Sequence, residues 1–419
     1  MADLLINTID DFDYQGKTVI LRMDINSPLD PDTKRIVNEN RIEKSIPTLK
    51  ALLDKGAKVA ILAHQGDTLD YHNLIPLTEH AGKLSARLGK NVRYIDDVAG
   101  VAAQDAVKNL EPGEAVLLGN VRYLTEEVST FEQAVKLTPN EMVDCYLVRQ
   151  LAPLADYFVN DAFAAAHRNS PSMVGFAEVL PTAGGRQLVA EVQALHAIME
   201  NPQRPAVFVL GGLKISDAFG MMRQVLDNGS ADQILTGGIT GIIMWMAEGK
   251  CFGKKQEQFL KDRGLDVFVE QAGEFMAKYG ERFLNPVDFA YERDGARCEC
   301  GLDELPIDDA LYLDIGQETV AQYESVISKA GTIFANGPMG AYETPLFEQG
   351  TRDIWNAIAT SPGYSVVGGG DSVNAAASLV EDHHTRFGYI CTAGGAMVRF
   401  LSGIELPLLR ALKKAYRKV

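Results

Sequence analysis

An α/β protein of two domains, each an open parallel sheet covered on both faces by helices, is what this sequence predicts. Three observations carry the prediction. Short apolar runs that read as buried strands alternate with periodic segments that read as helices, along the whole chain. That alternation implies parallel strands joined by right-handed crossovers, in a three-layer α/β/α arrangement. The length of 419 residues exceeds what one core supports, and the pattern breaks once near the middle, at Pro181–Gly185.

The first strand is Lys17 to Met23, followed by the loop Asp24 to Pro28. Asn40 is placed to cap a helix running to about Lys55, with Ile42, Ile46, Leu49 and Leu53 on one face. Lys58 to Ala63 is the next buried strand, and His64 stands at its end. A helix from Thr78 to Leu88 and a short strand from Val92 to Ile95 follow. Ala115 to Leu118 is a strand ending in Gly119-Asn-Val-Arg122. Met142 to Leu154 reads as a helix, and Tyr157 to Val159 as a strand leading into Asn160 to Arg168. After the break, a long helix from Arg186 to Met199 bridges the halves. The domains are then 1–185 and 201–401, with 186–200 between them. In the second half, strands are expected at Ala206 to Leu210, Gln233 to Leu235, Ala310 to Leu313, Thr332 to Ala335, Ser365 to Val367 and Tyr389 to Cys391.

Composition excludes several classes. A hydrophobic content of 46% and a charged content of 23% are those of an ordinary globular protein. The net charge of −16 argues against a nucleic-acid surface. No apolar run approaches the roughly 20 residues of a membrane span. The start Met-Ala-Asp-Leu-Leu-Ile-Asn lacks the regions of a signal peptide, and five cysteines are an odd, sparse count. Reduced thiols in the cytoplasm are the expectation. Cys298 and Cys300 form a C-x-C pair with no second pair to complete a zinc site.

Polar or glycine-rich clusters follow strand after strand at the carboxyl ends, which in an open α/β sheet line the ligand crevice. The first half puts charge there: Asp24, Asn26, His64, Arg122 and Arg168, with Arg41 near a helix start. Each arginine alone reads as a solvated surface residue. As a set with His64 they suit a small phosphorylated carboxylate, because guanidinium forks bind such oxygens bidentately. The second half puts glycines there instead, in five turns, as a backbone cradle for polyphosphate. At the chain's midpoint, a strand ends in Gly211-Gly212 and a helix begins near Ser216, a ready anion site with Lys214 as a point charge. The plain alternative is an ordinary strand–turn–helix joint with a surface lysine. Gly368 to Gly370 precede Asp371 and Ser372 at a helix start, where an aspartate is a cap or a Mg²⁺ ligand. Glu343 follows a turn, as helix-start decoration or as an acceptor for ribose hydroxyls. Neither a Walker motif nor G-x-G-x-x-G is present, and His383-His384 reads as an exposed turn.

In this order the clusters resemble the phosphoglycerate kinases, the archaeal branch in particular, over essentially the whole chain. The resemblance rests on Arg22-Met-Asp-Ile-Asn-Ser-Pro28, Ala63-His-Gln-Gly66, Asn120-Val-Arg122, Val159-Asn-Asp-Ala-Phe163 with Ala166-His-Arg168, Leu210-Gly-Gly-Leu-Lys214, Ala335-Asn-Gly-Pro-Met-Gly340 with Glu343, and Gly368-Gly-Gly-Asp371. It implies two Rossmann-like domains joined by a hinge and the bridging helix, with 402–419 returning to the N-terminal domain. It implies reversible transfer between 1,3-bisphosphoglycerate and ADP, giving 3-phosphoglycerate and ATP, with Mg²⁺. By it, Asp24 and Asn26 would hold the glycerate end, His64, Arg122 and Arg168 the distal phosphate, and Arg41 the transferring phosphoryl group. Gly212, Gly237, Gly238, Asn336, Pro338 and Glu343 would hold adenosine. Lys214 would contact the phosphates, Asp371 would ligate Mg²⁺, and Ser372 would cap the nearby helix. Gly369, Gly370, Gly394 and Gly395 would present N–H groups to the moving phosphoryl. A cleft closing on both substrates would keep water out.

The chain also departs from the family. Many members carry Arg where Asp67 stands, three residues after His64, and a second lysine where Ala218 stands. Ala393 replaces the first glycine of T-G-G-G, Gln317 the proline of D-I-G-P, and the run from Thr182 is unlike the family's. Asp67 raises a rival, a kinase of the same fold acting on a different carboxylic acid. Ala218 raises another, a non-catalytic nucleotide-binding homologue. A Rossmann dehydrogenase lacks its fingerprint. The expected partners are small molecules, without nucleic acid or membrane, for a monomer or homodimer.

Overall fold

Thr18–Arg22 (β1), buried from Val19 onward, runs through the middle of the first sheet in the computed structural model, which describes residues 5–66 and 71–416. Around it lie Lys58–Leu62 (β2), Val92–Tyr94 (β3), Ala115–Leu117 (β4), Tyr157–Asn160 (β5) and Thr182–Gly184 (β6). The order is β3-β4-β2-β1-β5-β6, and every pairing is parallel. Val19, Ile20 and Leu21 in β1, and Val59 to Leu62 in β2, are at most 1% exposed. A strand covered on both faces has no polar side to show, hence the unbroken apolar runs. Leu49 and Leu52 of the helix Asn40–Asp54 pack on the face formed by Val19, Leu21, Val59 and Ile61. The connections leave β1 toward β2 on one side and return to β5 on the other. The crevice outside the carboxyl ends therefore opens there. This sheet belongs to a unit made of the chain up to Gln193 and again from Glu405.

The second unit, Ala194 to Ile404, holds Ala206–Leu210 (β7), Gln233–Thr236 (β8), Phe283–Leu284 (β9), Asp288–Arg293 (β10), Ala296–Gly301 (β11), Tyr312–Ile315 (β12), Thr332–Asn336 (β13), Tyr364–Gly368 (β14) and Tyr389–Ile390 (β15). Six of these form a parallel sheet in the order β15-β14-β13-β7-β8-β9. Val207, Val209, Ile333, Ala335 and Val367 fill its core against Trp355 and Tyr323, all fully buried. The boundary between the units falls inside the helix Arg186–Met199.

Four local expectations need correction. The strand expected near Ala310 to Leu313 is β12, and it joins a separate antiparallel sheet, β11-β10-β12, rather than the parallel one. Its hairpin turns at Asp294-Gly295, both at positive φ (54° and 77°), the pair a two-residue turn demands. The break at Pro181–Gly185 contains β6, three residues long and without periodicity, which exists by pairing with β5. Met142 to Leu154 is interrupted, with helix only over Tyr146–Leu151 between two 3₁₀ turns. Cys145 is extended at one end, and Pro153 lacks the N–H to continue at the other. Asn40 is the first helical residue and caps nothing. Its N–H donates to the Asn38 side chain, 2.9 Å away.

Candidate active site

Four of the six strand ends in the first unit, those of β1, β2, β4 and β5, deliver polar groups to one cavity. Asp24 and Asn26 come from the loop after β1, His64 from the end of β2, Arg122 from the turn after β4, and Arg168 from the loop after β5. Together with Arg41 in the first turn of its helix, they line a cavity of about 520 Å³. Arg41 lies 3.2 Å from the Asp24 carboxylate, which is only 8% exposed and therefore held at a set position. The Asn26 amide oxygen accepts from the Gly66 N–H at 3.1 Å, tying the β1 loop to the β2 loop. Arg122 donates to the Gly66 carbonyl, and Arg168 donates to Glu132 at 2.6 Å. Asp67 lies outside the described residues.

His64 carries no charge in this cavity at neutral pH. Burial, and then the guanidinium groups of Arg122, Arg22, Arg41 and Arg168, hold its pKa well below 6.5. Gln65 is a further organising residue that the sequence did not reveal. Its amide donates to the Ser27 carbonyl at 3.0 Å and accepts the Ser27 N–H at 2.8 Å, clamping the Asp24-to-Pro28 loop from both sides. His80 lies 3.0 Å from the same amide oxygen. Burial lowers the pKa of His80 to about 4, so its neutral ring donates there.

The second unit brings together the glycine turns. Lys214 precedes the helix Ile215–Asp227, and both Lys214 and Asp217 of its first turn line a cavity of about 140 Å³. Gly212, Lys214, Asn336, Gly369, Gly370, Asp371, Ser372, Gly394 and Gly395 all line it. Gly369 has φ +88°, and a side chain there would run into the Asn336 amide oxygen. Gly212, at φ +78°, turns the chain toward Gly337 and Pro338 in the same way. Lys214 and Asp371 form an ion pair at 3.2 Å, with 67% and 56% of their side chains exposed.

Two expectations change here. Ser372 caps no helix: the helix Gly370–Leu379 has no side-chain cap, and the Ser372 hydroxyl accepts the Gly337 N–H at 2.6 Å, pinning the β13 turn. Ala218, where a second cation was missed, is 2% exposed and lies outside the cavity lining, whereas Asp217 lines it. An acid one residue before the missing lysine reads as helix-start decoration, so the sequence carried no sign of it.

A neighbouring, largely apolar cavity of about 320 Å³ is walled by Ile239, Phe259, Tyr312, Leu313 and Pro338, with Gly212, Gly238 and Glu343 also at its surface. The size and lining suit a nucleobase and ribose. The Arg263 guanidinium stacks on Phe259 at 3.8 Å. Gly237 lines neither cavity; a side chain on it would meet the sulfur of Met339.

Comparison with known proteins decides the family. The phosphoglycerate kinase family model matches residues 9–404. This chain belongs to the phosphoglycerate kinase family. The phosphoglycerate kinases of Methanothermus fervidus and Thermococcus kodakarensis, both archaea, are each 42% identical, covering 98% of this chain and 98% of their own. The crystal structure of phosphoglycerate kinase from Pyrococcus horikoshii superposes with a TM-score of 0.89 at 37% identity, covering 99% of this chain and all of that one. Membership makes the protein an enzyme, a phosphotransferase, and the two parallel sheets are those of the family's fold. Among the described residues, no helix is long and apolar enough to cross a membrane.

Proposed function

We propose that the enzyme transfers a phosphoryl group reversibly between 1,3-bisphosphoglycerate and ADP, giving 3-phosphoglycerate and ATP. The observation that carries this reading is the convergence of Asp24, Asn26, Arg41, His64, Arg122 and Arg168 on one cavity. Three guanidinium forks and a neutral imidazole beside one carboxylate suit an acid with two anionic ends and a hydroxyl. Arg122, Arg168 and His64 take the distal phosphate, Asp24 and Asn26 the glycerate hydroxyl and carboxyl, and Arg41 the phosphoryl group in transit.

The nucleotide occupies the glycine cradle, with its base in the apolar cavity and its phosphates on Lys214 and the N–H groups of the Gly369–Gly370 and Gly394–Gly395 turns. Asp371 is the residue that would hold Mg²⁺. The donor chemistry fits: Mg²⁺ typically takes one or two carboxylates and completes its shell with phosphate oxygens and water. No group of three or more acidic, histidine or cysteine side chains capable of caging a metal exists among the described residues. When bound, Mg²⁺ would neutralise charge on the phosphates. The chain's own groups position the reactants and stabilise the developing charge, which is most of what phosphoryl transfer asks of a protein. The five free cysteines suit a reducing cytoplasm.

The deciding measurement is ATP-dependent phosphorylation of 3-phosphoglycerate, coupled to a dehydrogenase that removes the acyl phosphate. Turnover that requires Mg²⁺ is the expected result. Absence of turnover, with nucleotide still bound by calorimetry, would move the acid pocket to another substrate.

A further inference from the structure

Behind the acid pocket runs a chain of buried polar groups that none of the roles above uses. Arg22, at the end of β1, is 3% exposed, and its guanidinium approaches the His64 Nδ1 at 2.9 Å. Arginine can only donate, so Nδ1 accepts and the proton of the neutral ring sits on Nε2. The same guanidinium donates through Nε to the Ser172 hydroxyl at 3.1 Å, and through Nη1 to the Met23 carbonyl. Ser172, fully buried, donates its hydroxyl hydrogen bond to the Glu127 carboxylate at 2.7 Å, leaving its lone pairs to Arg22. Glu127, 3% exposed, also accepts the Ser172 N–H at 2.5 Å and the Ser170 hydroxyl at 3.1 Å. Each bond has one possible direction when the carboxylate is ionised. The direction at His64 is set by Arg22, and Glu127, through Ser172 and its charge, acts on it by holding that guanidinium in place.

We propose that Glu127 is a positioning residue which, through Ser172 and Arg22, fixes His64 as the Nε2–H tautomer and so presents an uncharged, directed donor to the phosphorylated acid. The proposal rests on the acid-pocket reading given above and adds to it the group that sets the donor's direction. Its physical sense lies in the surroundings of His64. Arg22 on the β1 side, Arg41 from its helix, Arg122 after β4 and Arg168 after β5 all bear on the ring. A fifth positive charge there would be repelled, whereas a neutral N–H adds a hydrogen bond to a dianion without that repulsion. A buried guanidinium in turn needs a compensating anion within its own network, and Glu127 is placed to supply it: burial raises its pKa, and the Ser172 and Ser170 hydrogen bonds and the Arg22 charge oppose that rise. The charge of Glu127 is the largest favourable one acting on Arg22.

The test uses the full-length protein with ¹⁵N-labelled histidine, His64 being assigned by the signal lost in a His64→Gln variant. Long-range nitrogen–proton spectra of the unliganded protein report the tautomer directly and need no substrate. The parent should show Nε2–H alone. Glu127→Gln removes the anion at nearly constant shape. Ser172→Ala cuts the link while leaving Glu127 its Ser172 N–H and Ser170 partners, so it uncovers no buried charge. Both should move His64 toward a tautomer mixture and raise KM for 3-phosphoglycerate about tenfold, with kcat and the nucleotide KM within about twofold. A merely structural role would lower the melting temperature and leave the tautomer alone. Parent-like spectra in both folded variants would overturn the proposal, and so would a lost tautomer with unchanged KM. If the parent itself fails to phosphorylate 3-phosphoglycerate, the substrate assignment falls, and the spectra alone decide whether Glu127 governs His64.

Discussion

Lys214 and Asp371 face each other across 3.2 Å, yet both are more than half exposed. Such a pair contributes roughly 0–1 kcal/mol to stability, so its value lies in what each partner is freed to do. On the proposed assignment, Asp371 would hold the metal and Lys214 the phosphates of a bound Mg-nucleotide. Lys214→Ala should therefore lower kcat by about 10²- to 10³-fold, the size of losing one preorganised charge contact. Its melting temperature should stay within about 2 °C of the parent, since surface changes stay near ±0.5 kcal/mol. Parent-like turnover would remove Lys214 from the chemistry. Arg41→Ala differs, because it also strips the buried Asp24 of its counter-charge. A comparable loss of kcat should come with destabilisation of about 1–3 kcal/mol, read from urea midpoints. The residues legible in the sequence were those, like His64 or Arg122, that end an apolar run. Gln65, Arg22 and Glu127 were not legible. Their partners lie 38, 42 and 45 positions away, and nothing local marks a buried amide or carboxylate.

Other elements hold the first N–H groups of the helix Arg186–Met199. Its Arg186 N–H donates to the Thr48 hydroxyl at 2.9 Å, and its Leu188 N–H donates to Asp161 at 3.0 Å. Asp161 is 2% exposed, and burial first, opposed by hydrogen bonds from the Thr48 side chain and the Leu188 and Gln187 N–H groups and aided by the charge of Glu191, raises its pKa from 3.8 to about 7. The folded chain thus keeps a proton that the unfolded chain releases. The resulting stabilisation is complete below about pH 4 and is lost as pH rises through about 7. Asp161→Asn, which cannot ionise, should match the parent near pH 4. Its advantage should grow until about pH 7 and then level off, on the order of a few kcal/mol at about 1.4 kcal/mol per unit of pKa. Parallel urea midpoints across that range would show that Asp161 does not titrate between the two states. Strand-and-helix alternation revealed the parallel elements because period and length agree. It missed β6, which is held by pairing alone, and misassigned β12, although Asp294-Gly295 was a hairpin signal in plain view.

At the scale of the molecule, the break near residue 181 falls inside the first unit, and the units part between Gln193 and Ala194, within a helix whose periodicity shows no boundary. The partner of the final helix was likewise not written in its periodicity. An amphipathic face says that something is covered, without naming what. In the structure the chain from Glu405 belongs to the first unit, where the Leu408 N–H donates to the Ala166 carbonyl at 3.2 Å and Lys414 pairs with Glu178 at 2.6 Å. Each unit has its own core and its own cavity, built at the carboxyl ends of its own sheet. A ligand that binds only the folded state stabilises what it touches by RT ln(1 + [L]/Kd), about 2.7 kcal/mol at 100 Kd, or about 100-fold in an opening equilibrium. Amide hydrogen exchange should therefore divide by ligand. With 3-phosphoglycerate alone, slowing should concentrate at residues 24–28, 64–66 and 120–122. With Mg-ADP alone it should concentrate at 211–214, 336–340 and 369–372. Protection by 3-phosphoglycerate in the glycine turns of the second unit would reverse the assignment of the two cavities, because no charged pocket of the first unit would then be needed to hold the acid.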